Sequence, residues 1–439
     1  MSSLSPFAGL DGWAAWFYTF SLIIVLAMLA WTGALFVISR RARRSQPSSA
    51  EPDEFLWVFL VPALDEEVTI ADSVQRLLAV ECAHRLVLVI DDGSTDRTGE
   101  ILSTITDPDL VVLSRRPPEA QLGKAAALNA AWRMLDTGLR EGRWGNWPRD
   151  RIVVVVVDAD GRLGSQSPAL VASHFADPRV GGVQLRVRIY NRDHVLTWFQ
   201  DVEFGTFGLL YQLGRSHLGT AGMGGNGQFN RLSALDDVVA DPAEGPWRDT
   251  LTEDQDLGLR LIVAGWHGRQ EIRAPVEQQG VFNLRRLLRQ RTRWAQGNLQ
   301  ALTHLRALAR CDRSLLVRAD LIGWLLMPFF QFVVAITFVV TVIFVGFGLG
   351  GFGSASGLVG VVTFYLLGIG GVLFGCLAWG AERGRWGMVL GWLVAHVYVL
   401  YSFLIWPVLA RAAVRQLFGR GGWAKTSREA ISGDSGAAA

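Results

Sequence analysis

Hydrophobic and polar positions divide the chain into three kinds of stretch. From Trp13 to Ile38 the residues are uncharged and mostly apolar, and about 20 such residues suffice to cross a bilayer core. The run is followed by 40-RRARR-44. With no positive residue before it and no small-residue cleavage site after it, it predicts an uncleaved anchor rather than a signal peptide. The positive-inside rule puts the N-terminus outside and residue 40 onward in the cytosol of a plasma membrane.

After the linker 45-SQPSSAEPD-53, the runs 55-FLWVFLVPAL-64, 85-RLVLVIDD-92 and 151-RIVVVVVDAD-160 are β-branched and end in acidic or turn residues. Helical patterns at 66–80 and 123–135 separate them. Strands alternating with helices predict an α/β unit with a parallel sheet covered on both faces. Ligands of such sheets bind at the carboxyl ends of the strands, which lines up Asp91, Asp92, Asp158 and Asp160 along one crevice.

Beyond residue 310 apolar runs return at about 321–349, 358–380 and 387–409, with the Gly-rich 346–357 as a loop between spans. Three crossings would leave the basic tail outside, against its preference for the cytosol. Pro328 therefore marks the first run as a candidate re-entrant segment. The expected division is an anchor at 1–44, an α/β domain at 45–280, an amphipathic interface helix at 281–314, a membrane bundle at 315–410 and a tail at 411–439.

Composition narrows the function. Half of the 439 residues are hydrophobic and the formal net charge is +2, which argues against a disordered chain and against a nucleic-acid binder. The three cysteines stand singly, so no disulfide framework or zinc site is implied. Lys124 and Lys425 are the only lysines.

Four short stretches carry candidate chemistry. In 88-LVIDDGSTDRT-98 a buried strand delivers two carboxylates into a turn, able to accept hydrogen bonds from a nucleobase or ribose; the alternative is a turn capping the next helix through Ser94 or Thr95. In 153-VVVVVDADG-161 strand alternation sends Asp158 and Asp160 to one side, where like charges repel unless a cation sits between them. A hard divalent ion shared with a substrate diphosphate suits that pair, against the alternative of a plain strand terminus. In 251-LTEDQDLGLRLIVAG-265, Thr252 with Gln255 reads as a capping box, and Glu253 and Asp254 complement the helix dipole. A carboxylate there can still serve as a general base.

The fourth stretch is 286-RLLRQRTRWAQGN-298. Leu284, Leu287, Leu288, Ala295, Leu299, Leu302 and Leu305 recur at helical spacing, which predicts an amphipathic helix lying on the bilayer. Gln290, Arg293 and Trp294 share another face, pairing a guanidinium for phosphate oxygens with a ring for a sugar. Lys124, after a glycine in 121-QLGKAAALN-129, is a further phosphate candidate, and 219-GTAGMGGNGQFNR-231 is too Gly-rich for a regular element; both also read as ordinary loops.

In this order the four motifs resemble the D, DxD, TED and QxxRW set of family 2 glycosyltransferases, and more narrowly the membrane-integrated processive synthases of cellulose, chitin, hyaluronan and poly-N-acetylglucosamine. The resemblance covers about residues 57–298 plus the flanking apolar segments. It implies a GT-A fold and inverting single displacement. Asp91 would hold the nucleobase with the turn containing Pro62, Ala63 and Glu67. Asp158 and Asp160 would bind the diphosphate and its Mg²⁺ or Mn²⁺, with Lys124 also on phosphate. Asp254, flanked by Thr252 and Glu253, would be the base, Arg293 would steady the leaving diphosphate, and Gln290 and Trp294 would hold the acceptor. The family's Asn-Glu in the first turn is here Asp65-Glu66, and the apolar segments are fewer than in the cellulose synthases.

The leading expectation is an enzyme that extends a β-linked polysaccharide from a nucleotide sugar, with export as a further step. Its partners are a nucleotide-sugar donor, a polysaccharide or lipid-linked acceptor and the bilayer, with no nucleic acid and an oligomer left open. The alternatives are transfer of one sugar to a polyprenyl phosphate or other lipid, and a catalytically silent membrane scaffold or transporter.

Overall fold

The computed structural model describes residues 12–45, 50–241, 243–347 and 358–419. Most of the Gly-rich loop expected at 346–357, and the tail beyond 419 with Lys425, lie outside the described residues. The expected anchor is one helix, α1 (Trp13–Arg44).

The α/β unit then runs β1 (Leu56–Ala63), α2 (Ile70–Leu78), β2 (Arg85–Asp91), α3 (Thr98–Thr104), β3 (Leu110–Ser114), α4 (Lys124–Arg140), β4 (Ile152–Val156), α5 (Ser167–Phe175) and β5 (Val180–Ile189). It continues through α6 (Val195–Thr206), α7 (Leu213–Leu218), β6 (Gln228–Arg231), α8 (Leu232–Asp237), α9 (Glu253–Val263) and β7 (His267–Gln278). A stretch of π-helix, 207–212, joins α6 to α7.

The seven strands form one sheet in the order β3-β2-β1-β4-β6-β5-β7. Alternate residues of β1 feed two apolar layers: Trp57, Phe59 and Val61 on one face, Leu56, Val58 and Leu60 on the other. Burial on both faces is why these strands read as unbroken apolar runs. The sheet is mixed rather than parallel, because β6 runs antiparallel to both β4 and β5. The Gly-rich segment before β6 turns the chain back so that it enters the sheet from the end where β4 leaves it.

After β7 come α10 (Leu284–Gln300), α11 (Leu305–Arg310), α12 (Leu315–Gly346), α13 (Leu358–Gly380), α14 (Gly387–Ser402) and α15 (Ile405–Leu417). Among the described residues, three helical stretches suit a membrane crossing by length and composition: 19–44, 315–340 and 387–417. α1 and α13 run side by side in the same direction, with Phe36 against Phe374 at 5.3 Å and Arg43 donating to the Ala378 carbonyl at 3.3 Å. α12 is docked to the α/β unit by a buried ion pair, Arg215 to Asp320 at 3.0 Å, with Thr220 donating to the same carboxylate oxygen at 2.6 Å.

Two expectations about this region change. α12 is a continuous helix with Pro328 inside it, and the chain turns back elsewhere. α14 starts beside Arg383, which pairs with Asp201 of α6 at 3.1 Å. After a break at Phe403 and Leu404, α15 ends with Arg415 donating to Gln296 of α10 at 3.1 Å. Both ends of this helical pair therefore contact the α/β unit. The apolar stripe of α10 also meets protein: Ala295 packs with Val408, Leu409 and Ala412 of α15, and Leu288 and Leu299 flank them. α15 covers the face that an isolated amphipathic helix would give to lipid.

Candidate active site

At the carboxyl ends of β1 and β4 the structure opens a cavity of about 540 Å³, closed by α9 and α10 on one side and by α12 and α15 on another. Lys124, the first residue of α4, reaches Asp158 at 2.6 Å and Glu253 at 3.6 Å. Burial alone would lower its pKa, but Asp158 and Glu253 more than offset that and leave it raised. The ammonium is thus firmly charged between the turn after β4 and the start of α9.

Asp254 lines the same cavity and is pushed up to about 7, first by burial and then by the neighbouring Glu253, against the opposing pull of Lys124, the Gln255 amide and Arg293. A carboxylate poised near neutrality beside a cavity has the property a general base needs. Gly225 makes room for it: a Cβ at this position, where φ is +77°, would lie 2.8 Å from Asp254 Oδ2 and 3.4 Å from Lys124 Nζ.

The capping box expected at α9 does not form. Thr252 makes no side-chain bond to a helix amide, and Asp254 Oδ1 instead accepts from the Gln255 N–H at 2.7 Å. Thr252 is turned toward α10, which crosses at Gly297, where a Cβ would fall 2.4 Å from Thr252 Oγ1. Two bonds stitch the crossing: Gln255 Nε2 donates to Asn298 at 2.6 Å and the Leu251 N–H to Gln300 at 3.1 Å. This contact brings Thr252, Glu253 and Asp254 into one cavity with Gln290, Arg293 and Trp294. No hydrogen bond or ion pair engages Arg293 among the described residues, so its guanidinium faces the cavity with its donors available.

Of the remaining expected residues, Pro62, Ala63 and Asp158 line the cavity, whereas Glu67, Asp91 and Asp160 do not. Asp91 accepts from the Ser94 N–H at 3.0 Å and Glu67 from the Arg97 N–H at 3.1 Å, so both brace the loop after β2. The neighbour Asp92, paired with Arg115, forms the wall instead. Asp158 and Asp160 do not alternate along a strand, because β4 ends at Val156 and the chain turns, with the Gly161 N–H bonded to the Asp158 carbonyl at 2.7 Å. The Asp158 side chain is 30 % exposed and Asp160 is buried.

Among the described residues no three His, Cys, Asp or Glu side chains converge on one point. The turn nevertheless offers two carboxylates and no softer donor, the oxygen chemistry that Mg²⁺ and Mn²⁺ prefer. A cation there would need further oxygens from a bound diphosphate to fill its shell.

The sequence reading missed several wall residues, among them Glu203 and Phe204 of α6 and Arg291 of α10. A signal existed for the first, since 201-DVEF-204 places two acids within an otherwise apolar helix.

The profile of "Glycosyl transferase family group 2" matches residues 153–414 and that of "Glycosyl transferase family 2" residues 58–235. Beta-monoglucosyldiacylglycerol synthases from a Nostoc and a Synechocystis species are 33 % and 31 % identical over 61 % and 69 % of this chain. The matched stretches cover 54 % and 62 % of those relatives, so the chain spans little more than half of their length. A poly-beta-1,6-N-acetyl-D-glucosamine synthase of Staphylococcus aureus is 28 % identical over 56 % of this chain and 55 % of its own. Among solved structures, a mannosyltransferase from Pyrobaculum calidifontis in complex with GDP-Man and Mn²⁺ aligns over 91 % of this chain and 99 % of its own, with a TM-score of 0.55 at 18 % identity. That likeness identifies the fold as GT-A.

Proposed function

The chain belongs to glycosyl transferase family group 2, and from that premise we propose that it transfers a single sugar from a nucleotide sugar, with inversion, to a hydroxyl of a membrane lipid. The observation that carries the acceptor class is the far wall of the cavity. Beyond Asp254 it is formed by Trp324, Met327 and Pro328 of α12 and by Ile405 and Leu409 of α15. Both helices fall in stretches long and apolar enough for a bilayer, so a hydroxyl attached to an apolar body can approach Asp254 without leaving lipid. The similarity to two diacylglycerol-glucosylating relatives supports the same reading.

In this reading Pro62, Ala63 and Asp92 enclose the nucleobase end, while Asp91 and Glu67 shape the turn behind it. Lys124 and Arg293 grip the diphosphate. Asp254 takes the proton of the acceptor hydroxyl as its oxygen bonds to the anomeric carbon. The bond from that carbon to the diphosphate breaks, and the electron pair leaves with the nucleoside diphosphate, stabilised by Arg293. Asp158 and Asp160 would hold Mg²⁺ or Mn²⁺, which would supply further neutralisation of the diphosphate charge. In this reading the α/β unit is cytosolic at the plasma membrane and the N-terminus outside, supported by arginines 40, 41, 43 and 44 at the end of α1 under the positive-inside rule.

A base must be ionised to act, so turnover per acceptor should fall as pH drops through the Asp254 pKa. The expected kcat/KM profile has an acidic limb centred near 7, against the usual carboxylate range near 4. A limb centred below 5 would remove Asp254 from the role.

Purified protein in liposomes containing 1,2-diacylglycerol, given radiolabelled UDP-glucose, UDP-N-acetylglucosamine or GDP-mannose with Mg²⁺ or Mn²⁺, tests the acceptor. The expected product extracts into organic solvent with one sugar per lipid. The processive reading has its own support, since Gln290, Arg293 and Trp294 share the cavity and one relative is a polymer synthase. Label recovered as a ladder of repeating sugars would select that reading and overturn ours.

A further inference from the structure

Trp294 does not stand alone. Its ring has the Arg291 guanidinium 4.1 Å from its centroid and Phe204 edge-on at 6.2 Å, so one face is covered by a cation. Arg291 is itself held across elements: it donates to Glu203 Oε2 of α6 at 2.9 Å, and Tyr401 of α14 donates to the same oxygen at 2.7 Å. Tyr401 in turn stacks on Phe199 of α6 at 5.3 Å. Only 10 % of the Arg291 side chain is exposed, a setting in which a guanidinium persists when paired and removal of one partner leaves an uncompensated charge.

We propose that Glu203, Arg291 and Tyr401 form a positioning clamp for the acceptor site, fixing the Trp294 ring so that its uncovered face meets the acceptor and tying that face to α14. The inference rests on the cavity being an acceptor site, whether the acceptor is a lipid or a sugar chain. A cation held against a ring attracts it through the ring's quadrupole, and a carboxylate shared by a guanidinium and a phenol has two directional bonds that fix its rotamer. The clamp uses an arginine inside the Gln-Arg-Thr-Arg-Trp run that faces away from the diphosphate task assigned to Arg293. It also gives α14 and α15 a reason to return to the α/β unit, because α14 supplies Tyr401 and α15 lines the adjoining wall.

The test compares Tyr401→Phe, Glu203→Gln, Arg291→Met and the double variant Glu203→Gln/Arg291→Met in liposomes, with diacylglycerol and the nucleotide sugar used by the wild type. For each, KM is measured separately for lipid and donor, together with the share of donor lost to water. Tyr401→Phe should raise the acceptor KM several-fold, and the two single changes at the ion pair about 10- to 50-fold, with donor KM within threefold and an increased share of hydrolysis. The double variant should resemble the worse single variant rather than the product of both, as expected of one coupled unit. Equal rises in donor and acceptor KM, or multiplicative single effects, would overturn the clamp. Tyr401→Phe keeps the ring and its stacking, so it remains informative if the charge variants fail to fold. Failure of the functional reading would look different: wild-type protein would release no nucleoside diphosphate, or would build a polymer, on which the same KM comparison is then run.

Discussion

Asp254→Asn should lower transfer by about 10²–10⁴-fold while the donor still binds, because the change removes a proton acceptor and keeps the shape. Donor affinity by calorimetry and nucleoside diphosphate release with lipid acceptor measure the two halves. Turnover within tenfold of wild type would transfer the base role to another group, and Glu253, which also lines the cavity and contacts Lys124 at 3.6 Å, would be the next to test. A stability measurement gives an independent check on the raised pKa. A carboxyl whose folded pKa lies above its ordinary 3.8 is destabilising once ionised. That cost is absent below about 4, grows as pH rises, and is complete above about 7. The Asn variant should therefore melt progressively higher than wild type as pH is raised from 4 to 8, and an equal difference at all pH values would contradict the shift.

Arg293→Ala should reduce kcat by about 10²–10³-fold, the usual loss when one preorganised donor to developing negative charge is removed. The structure leaves this guanidinium facing the cavity, while the neighbouring Arg291 is committed to Glu203 and Trp294. Arg293→Lys should recover only part of the loss, since an ammonium is a point charge and does not present two parallel donors to phosphate oxygens. The readout is single-turnover transfer at saturating donor, which separates the chemical step from binding. A kcat within threefold of wild type for Arg293→Ala would exclude a role on the leaving group.

The two arginines show how far the motif could be read. Spacing along a helix placed Gln290, Arg293 and Trp294 on one face, which requires only the 3.6-residue repeat. It is silent on Arg291, whose ion-pair partner Glu203 lies on α6, 88 positions away in the chain, and is shared with Tyr401 of α14. The same limit explains Asp91 and Asp92. A strand ending in adjacent acids announces carboxylates at the sheet's edge, but whether the first or the second faces the cavity depends on the turn beyond, which here draws Asp91 to the Ser94 amide. At Asp158 and Asp160 the two-residue alternation no longer holds, because the strand ends at Val156 and the turn at Gly161 replaces it.

Sequence by itself determined the three central strands β1, β2 and β4, the helices α2 and α4 between them, the long apolar first helix, the two-faced burial of those strands and the set of acids and bases available. These follow from local periodicity and from the unbroken apolar runs that a doubly covered sheet demands. The tertiary structure alone decided three things. β6 enters antiparallel, because the Gly-rich segment reverses the chain. The apolar stripe of α10 is covered by α15 rather than by lipid, because the last helices turn at Phe403 and Leu404 and come back. Asp254 is pushed up to about 7, because its burial where the chain packs at Gly225, together with the neighbouring Glu253, outweighs the opposing pull of Lys124 and Arg293. Each of these depends on contacts between residues far apart in the chain, and no periodicity records such contacts.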